Sequence, residues 1–387
     1  MKKAFYKAYA ILLTAVLLAG LAACTGNIGA AEEQETIIEQ PAVEPEEDPA
    51  PQDIPDIAPV LTPEETPELE EEAEPETEAE PPEEPEPEIS ATPDFIVIRE
   101  MEISTSQTTL DLTHMALTSE EIEPLRYMTN LEELVIANSI QVYGGRTIPP
   151  LDITPLAGLT NLTALNLAGN NIRDIQPLAN MTRLVSLGLD GNEISDITPL
   201  SGMTSLRYLG MLDNHVSDIT ALASLPNLAS LHISMNQIND ISPLANLTDL
   251  QFLILSVNQI SDITPLAGLT NLERLGLDFN QIADISPLAN LTNLIFMDLA
   301  GNQITDISAL AGFSHLEDHL NLADNQISDL TPLSAFTNVW GLALSNNQIT
   351  DLSPLAGLTS LTSLMLEGNP IMDWEPVAHV DWVDGRP

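Results

Sequence analysis

The side chains that most often perform chemistry are few in this chain and lie far apart. The six histidines are His114, His215, His232, His315, His319 and His379. Two of them, His315 and His319, have a metal-binding spacing, because His-x-x-x-His on a helix places both imidazoles on one face. Their segment runs into a strand pattern, so we interpret the extra residue there as a bulge. We therefore predict no metal site and no cofactor.

Motifs of the common enzyme classes do not occur in the sequence. It contains no Gly-x-Ser-x-Gly, no His-Glu-x-x-His, no phosphate-binding P-loop and no Gly-x-Gly-x-x-Gly. Cys24 is the one cysteine, so an intrachain disulfide framework is excluded. The sequence predicts a protein that is not an enzyme.

Cys24 follows a stretch with the composition of a targeting signal. Lysines at positions 2, 3 and 7 precede an apolar run over residues 8–20, which is too short for a comfortable membrane span. The tripeptide Leu-Ala-Ala before Cys24 resembles the lipobox of bacterial lipoproteins. That resemblance implies cleavage before Cys24 and a lipid anchor on its thiol, with an ordinary secretory signal as the alternative. We assign residues 1–24 to the signal and expect the rest on the extracytoplasmic side, at the cell surface.

Residues 25–93 are predicted to be a disordered acidic linker rich in proline and glutamate. Residues 25–92 contain 24 acidic side chains and no basic one. Such a sequence buries too little apolar surface to offset its ordering entropy, and proline with like charges favours an extended chain. We interpret it as a spacer, with cation or basic-partner binding as the alternative.

From residue 94 to residue 387 the chain is organised by a 22-residue unit, Leu-x-x-Leu-x-Leu-x-x-Asn-x-Ile-x-Asp-Ile-x-Pro-Leu. Every step between its asparagines is 22 residues except Asn302 to Asn325, which is 23. This period and leucine spacing are typical of a leucine-rich-repeat solenoid. The asparagines are Asn170, Asn192, Asn214, Asn236, Asn258, Asn280, Asn302, Asn325, Asn347 and Asn369.

Each part of the unit has an expected place. Leu-x-Leu predicts a strand with its leucines inward, and 12 such segments occur, from Leu110–Leu112 to Leu364–Leu366. The asparagine should turn inward and pair backbone groups of neighbouring turns. Asp-Ile-Ser/Thr-Pro-Leu predicts a short 3₁₀ or α turn, with Ser or Thr as cap and Asp bonded to turn amides; a cation-binding Asp ladder is the alternative.

Irregular segments lie at both ends of the repeats. Residues 94–112 are predicted to form an N-terminal cap, and residues 118–126 a short helix with a start like a capping box, in which Ser119 is followed by acidic residues. Ser139 stands in the asparagine column and is followed by an insertion with Gly144 and Gly145, which we expect to loop out. Trp374 and Trp382 are expected to cover the last apolar turn.

The repeat resembles the internalin-type leucine-rich repeats of bacterial surface proteins. The match runs from about residue 131 to residue 369. It implies an α/β solenoid: a horseshoe with a parallel β-sheet on the concave face, short 3₁₀ or α turns on the convex face, and a disordered linker before it. It also implies that the concave strand face grips another protein.

Charge limits the kind of partner. From residue 93 onward there are 34 acidic and 8 basic side chains. Nucleic-acid binding depends on Lys and Arg that neutralise phosphates, so the sequence argues against it. We expect a neutral or basic protein ligand and a monomeric chain.

The outward strand positions carry the functional information, because the fold does not dictate them. Aromatic residues recur there at 22-residue intervals, and we predict one exposed patch with an Arg, the usual composition of a hot spot, surrounded by negative charge from Asp190, Asp213, Glu273, Asp278 and Asp298. The predicted partner-binding residues are Tyr208, His232, Met235, Phe252, Ile254, Arg274, Phe279 and Phe296. The function predicted from them is an adhesion or interaction module; an envelope protein that binds wall glycan or divalent cations is the alternative.

Overall fold

The computed structural model describes residues 92–138, 149–313, 316 and 319–386. The signal with Cys24, nearly all of the linker, Ser139, the inserted loop with Gly144 and Gly145, and His315 lie outside these residues. Within the described ranges, no helix is long and apolar enough to cross a membrane.

A short antiparallel hairpin precedes one long parallel sheet. The hairpin strands β1 and β2 pair Ile96 with Ile103, and both side chains are buried against the core. Strands β3 to β15 follow in sequence order across a 13-stranded sheet. The strands are β1 Phe95–Ile98, β2 Met101–Ser104, β3 Thr109–Asp111, β4 Glu133–Val135, β5 Ala164–Asn166, β6 Ser186–Gly188, β7 Tyr208–Gly210, β8 Ser230–His232, β9 Phe252–Ile254, β10 Arg274–Gly276, β11 Phe296–Asp298, β12 His319–Asn321, β13 Gly341–Ala343, β14 Ser363–Met365 and β15 Trp382–Asp384.

Equivalent repeat positions stack directly on one another. Leu253 lies beside Leu275, and Leu275 lies beside Met297, all of them inaccessible to solvent. Because the inward leucines of every turn join one core, each turn is stabilised chiefly by its neighbours. The predicted solenoid is confirmed, although each strand begins one residue before the Leu-x-Leu segment.

The asparagine column works as predicted. Asn280 donates from Nδ2 to the carbonyl oxygens of Leu255 and Leu277, at 3.1 and 3.0 Å, and its Oδ1 accepts from the Ile260 amide at 3.0 Å. The column differs at its start, where Asn138 continues it by donating to Asn170 Oδ1 at 2.5 Å. The amide in that turn therefore stands one residue earlier than the predicted Ser139.

The convex turns are 3₁₀ in every regular repeat, and their caps differ from the prediction. In a typical turn the Thr264 amide donates to Asp262 Oδ1 at 2.8 Å, so the aspartate bonds a turn amide as predicted, whereas the Thr lies inside the turn and does not cap it. The Thr264 hydroxyl donates to the same oxygen, and its bond and the amide bond hold the pKa of the Asp262 carboxyl below its usual range. The 3₁₀ turns are Glu123–Tyr127, Thr154–Leu156, Gln176–Leu178, Thr198–Gly202, Thr220–Ser224, Ser242–Leu244, Thr264–Gly268, Ser286–Asn290, Ser308–Gly312, Thr331–Ala335, Ser353–Leu355 and Glu375–Val377.

A single α-helical turn, α1 (Ser119–Ile122), belongs to the N-terminal cap. Its capping residue is Thr118 and not Ser119, since Thr118 and Glu121 form the reciprocal bonds of a capping box. Arg99 pairs with Glu121 at 2.6 Å and donates to the Met115 carbonyl oxygen. The hairpin is thereby fastened to the first turn of the solenoid.

The C-terminal tail adds one strand that the sequence did not predict. Trp382–Asp384 forms β15, which raises the number of strands in the parallel sheet from 12 to 13. Trp374 is half-buried against the core, as expected of a cover for the last turn. The same expectation is wrong for Trp382, which is exposed.

Candidate binding face

The outward positions of β5 to β12 and the residues just after them form the face on which all eight predicted binding residues lie. The register places Tyr208, Phe252, Arg274 and Phe296 in one column, and His232 and Ile254 in the next. Met235 and Phe279 follow their strands at equivalent positions with positive φ, 55° and 54°. The structure therefore brings the eight residues to one side of the sheet.

These side chains lie flush with the face and do not protrude from it. Phe296 is 8 % exposed, Ile254 is 7 % exposed and His232 is 2 % exposed. The other five are half-buried. The predicted exposure of the aromatic patch is therefore wrong, although its position on the face is correct.

Glycines in neighbouring turns explain why the face is flush. A Cβ at Gly276 would lie 3.1 Å from Ile254 Cγ2, and a Cβ at Gly301 would lie 2.6 Å from the Phe279 ring. A large side chain thus leans over the glycine of the next turn and fills the space that a side chain there would need. Gly301 also has a φ of +67°, which other residues adopt only with strain.

Arg274 links two strands of the face. Its guanidinium lies 5.7 Å from the centre of the Phe296 ring, a cation–π contact between β10 and β11. The predicted combination of an arginine with aromatic rings is therefore present as a contact within the protein.

The acidic residues that were expected to surround the patch are mostly part of it. Of the five, Glu273 alone is exposed, and Asp278 and Asp298 are buried. Burial, together with the smaller effect of the Asp278 charge, raises the pKa of the Asp298 carboxyl to about 8. Burial also raises the pKa of Asp278 and of Asp190 to about 6. The face is therefore less negative at neutral pH than its composition indicates.

Two polar groups on β8 and just beyond it are buried without a hydrogen-bond partner. They are His232 Nδ1 and Ser234 Oγ. Burial lowers the pKa of His232 to about 4, so its imidazole is neutral at physiological pH. An unpaired buried polar group costs stability, and the repeat does not require either residue at these positions.

An exposed aromatic surface lies further toward the C terminus, where the sequence analysis predicted no site. Trp340 is 48 % exposed and Trp382 is 50 % exposed. Trp340 was overlooked because it stands just outside the Leu-x-Leu window in which outward positions alternate. Trp340 is the one tryptophan of the sequence that lies within the regular repeats, and this could have marked it as a candidate binding residue.

The described residues contain no group of three or more His, Cys, Asp or Glu placed to hold a metal ion. The face combines apolar and hydrogen-bonding side chains with the charged residues Glu273 and Arg274 and with the buried carboxyls of Asp278 and Asp298. Such a surface can bind another macromolecule by shape and by desolvated polar contacts.

Known proteins resemble this chain in sequence and in fold. The family model described as Leucine Rich repeats (2 copies) matches residues 160–202, 204–246, 248–290, 292–335 and 341–379. An internalin, inlF, from Listeria monocytogenes is 37% identical with a TM-score of 0.65, and the similarity covers 74% of this chain and 91% of that chain. A search of curated protein sequences finds no significant match.

Two further solved structures share the fold alone. The functional domain of InlJ from Listeria monocytogenes is 21% identical with a TM-score of 0.61, over 73% of this chain and 64% of that one. The plant peptide hormone receptor RGFR1, in complex with RGF2, is 16% identical with a TM-score of 0.55, over 75% of this chain and 51% of that one.

Proposed function

Because the chain belongs to the leucine-rich-repeat family, as an internalin-like member, we propose that it is a protein-binding module tethered to the cell surface, with the concave strand face as its binding surface. Repeats of this family are typically binding modules without catalytic activity. A receptor of the same fold is in complex with RGF2, which supports a protein or peptide ligand.

One observation carries the choice of the concave face. It retains groups that the fold does not need and that weaken it: the buried carboxyls of Asp278 and Asp298 and the unpaired Nδ1 of His232. Buried residues that reduce stability are expected chiefly at functional sites, because elsewhere in a protein the side chains generally agree with the fold and stabilise it. In the described repeats from β5 to β14, the inward leucines are all buried and show no comparable departure.

The experiment that tests this proposal starts by capturing the partner. The chain has no lysine after Lys7, so amine-reactive reagents do not label the repeats. A photo-crosslinking side chain at position 186, on the concave face, captures the partner, and the same side chain at position 245, after a convex turn, is the control. We expect a specific product from position 186 alone.

Affinity for the captured partner is then measured with matched variants. Ser186 is half-buried in the same column as Tyr208, so Ser186→Tyr adds a side chain that the column already accommodates. Ala245 is exposed beyond a convex turn, and Ala245→Tyr adds the same bulk there. We expect Ser186→Tyr to weaken binding and Ala245→Tyr to leave it unchanged.

Tethering through a lipid on Cys24 is the second part of the proposal. It is supported by the basic segment, the apolar run and the Leu-Ala-Ala-Cys sequence. Labelled palmitate is expected to enter the wild-type chain and to be lost completely in Cys24→Ala, with the variant released from membranes. No label in either chain would leave an ordinary secretory signal as the explanation, and equal labelling of both chains would place the lipid on a residue other than Cys24.

A further inference from the structure

Two exposed tryptophans lie on alternate strands near the C-terminal end of the sheet. Trp340 directly precedes β13, and Trp382 is the first residue of β15. Single exposed apolar residues are common on proteins, but neighbouring exposed indoles are a typical feature of binding hot spots. By register Trp382 continues the column of Phe296 through His319, Gly341 and Ser363, and Trp340 precedes that column by one residue.

Backbone hydrogen bonds fix the spacing of the pair. The Thr362 and Ser363 amides donate to the Trp340 carbonyl oxygen at 3.0 and 3.1 Å, and the Trp382 amide donates to the Thr362 carbonyl oxygen at 3.1 Å. One strand, β14, therefore separates the tryptophans, which places their backbones about 10 Å apart. The floor between them consists of small side chains, Thr362 and Ser363.

The Trp340 side is reinforced by a second ring. The His319 ring centre lies 6.2 Å from that of Trp340, with the ring planes tilted by 45°. Its Nδ1 lies over Gly341, where a Cβ would be only 2.8 Å away. The backbone spacing of about 10 Å exceeds the two contact layers of about 3.5–4.0 Å that one seated side chain of a partner requires.

The charge of this region defines the partner further. Residues 291–386 contain twelve acidic side chains and one basic side chain, Arg386. Arg386 lies 6.0 Å from the centre of the Trp374 ring and donates to the Val377 carbonyl oxygen. Exposed acids stand close to the pair, namely Glu367 after β14, and Asp381 and Asp384 at the two ends of β15. A second copy of the chain would bring the same negative charge, so the charge favours a basic partner.

We propose that Trp340, Trp382 and the floor of Thr362 and Ser363 form a docking site for a basic polypeptide segment. One large apolar side chain of that segment is seated between the indoles, and flanking Arg or Lys side chains face Glu367, Asp381 and Asp384. This proposal rests on the proposed protein-binding function, because the segment that occupies the docking site is part of a polypeptide. It adds an anchor outside the eight residues of the concave patch.

Calorimetric titration of the full chain with synthetic peptides tests this site. The first peptide has a central leucine between paired arginines, and the second replaces that leucine by serine. The acidic residues 25–92 attract both peptides, so the serine peptide measures the contribution of charge alone. We expect the leucine peptide to bind about tenfold more tightly, as burial of one leucine side chain predicts.

Variants then locate the difference between the peptides. Trp382→Ala is expected to reduce the affinity of the leucine peptide to that of the serine peptide. Trp340→Gln, on another strand, provides the same test if Trp382→Ala unfolds the last turn by circular dichroism. Met372→Ala, which removes a 94 % exposed apolar side chain outside the site, is the control and should change nothing. Equal binding of both peptides to the wild type, or a preference for leucine that persists in both tryptophan variants, would overturn the proposal.

The captured partner separates this proposal from the proposed function. If Ser186→Tyr blocks the partner and the tryptophan variants bind it normally, the docking site is wrong and the concave-face function stands. If the peptides distinguish the tryptophan variants and Ser186→Tyr has no effect on the partner, the docking site stands and the eight-residue patch is wrong as the partner's binding site.

Discussion

Asp298→Asn is expected to make the protein more stable at pH 8 than the wild type. The pKa of Asp298 is about 8 in the folded chain and 3.8 in an ordinary environment. A raised folded pKa means that the folded state binds the proton more tightly, so this stability is present at low pH and is lost as pH rises toward 8. The free energy of unfolding of the wild type should therefore fall by about 1–2 kcal/mol between pH 6.5 and 8.

The range from pH 6.5 to 8 is chosen because His232, whose titration changes stability in the opposite direction, has no large effect there. Its folded pKa is about 4, against 6.5 in an ordinary environment, so the stability that it contributes is present above pH 6.5 and lost below it. Above pH 6.5 the buried carboxyls dominate. Urea unfolding at several pH values measures the slope, and Asp298→Asn should flatten it.

A matched variant controls for overall charge. Asp306→Asn removes the same charge at an exposed convex turn, where the aspartate Oδ1 accepts from the Ser308 amide at 2.8 Å. It should keep the wild-type slope. The same steep slope in Asp298→Asn would show that the Asp298 carboxyl is already ionised at pH 6.5, contrary to the buried geometry.

Asn280→Ala is expected to destabilise the solenoid by about 1–3 kcal/mol. The change leaves the Ile260 amide and the Leu255 carbonyl without the bonds that the Asn280 side chain supplies. Both groups belong to the preceding turn, so the loss weakens the contact between neighbouring turns on which a solenoid depends. The midpoint of urea unfolding measures the effect.

The control for this change is an asparagine on the surface. Asn246 is exposed beyond a convex turn, and Asn246→Ala is expected to alter stability by no more than about 0.5 kcal/mol. Equal effects of the two substitutions would contradict the role assigned to the asparagine column.

The fold could be predicted because the spacing of residues within the repeat determines where each strand and each turn lies. Leucines at fixed spacing place the strands, and the aspartate before each turn marks the convex side. The thirteenth strand was missed because Trp382–Asp384 has no Leu-x-Leu pattern, and its pairing with β14 depends on the end of the sheet that β14 leaves open.

The candidate site could be predicted only as a face. Strand alternation tells which side chains point outward, and it correctly grouped Phe252, Arg274 and Phe296. Exposure could not be obtained in this way, because it depends on whether the next turn supplies a glycine, as Gly276 does beside Ile254. The burial of Asp278 and Asp298 likewise depends on packing between turns.

The central claim is that the concave strand face binds protein. The most direct test is a measurement of affinity for the captured partner. The measurement compares Ser186→Tyr with Ala245→Tyr in the full chain, after circular dichroism shows both to be folded. The account predicts that Ser186→Tyr weakens binding by about tenfold or more, because overpacking a closely packed contact costs about 1–3 kcal/mol. It also predicts that Ala245→Tyr binds like the wild type. Unchanged binding by Ser186→Tyr, with loss of binding by Ala245→Tyr, would place the interface on the convex side and contradict the account.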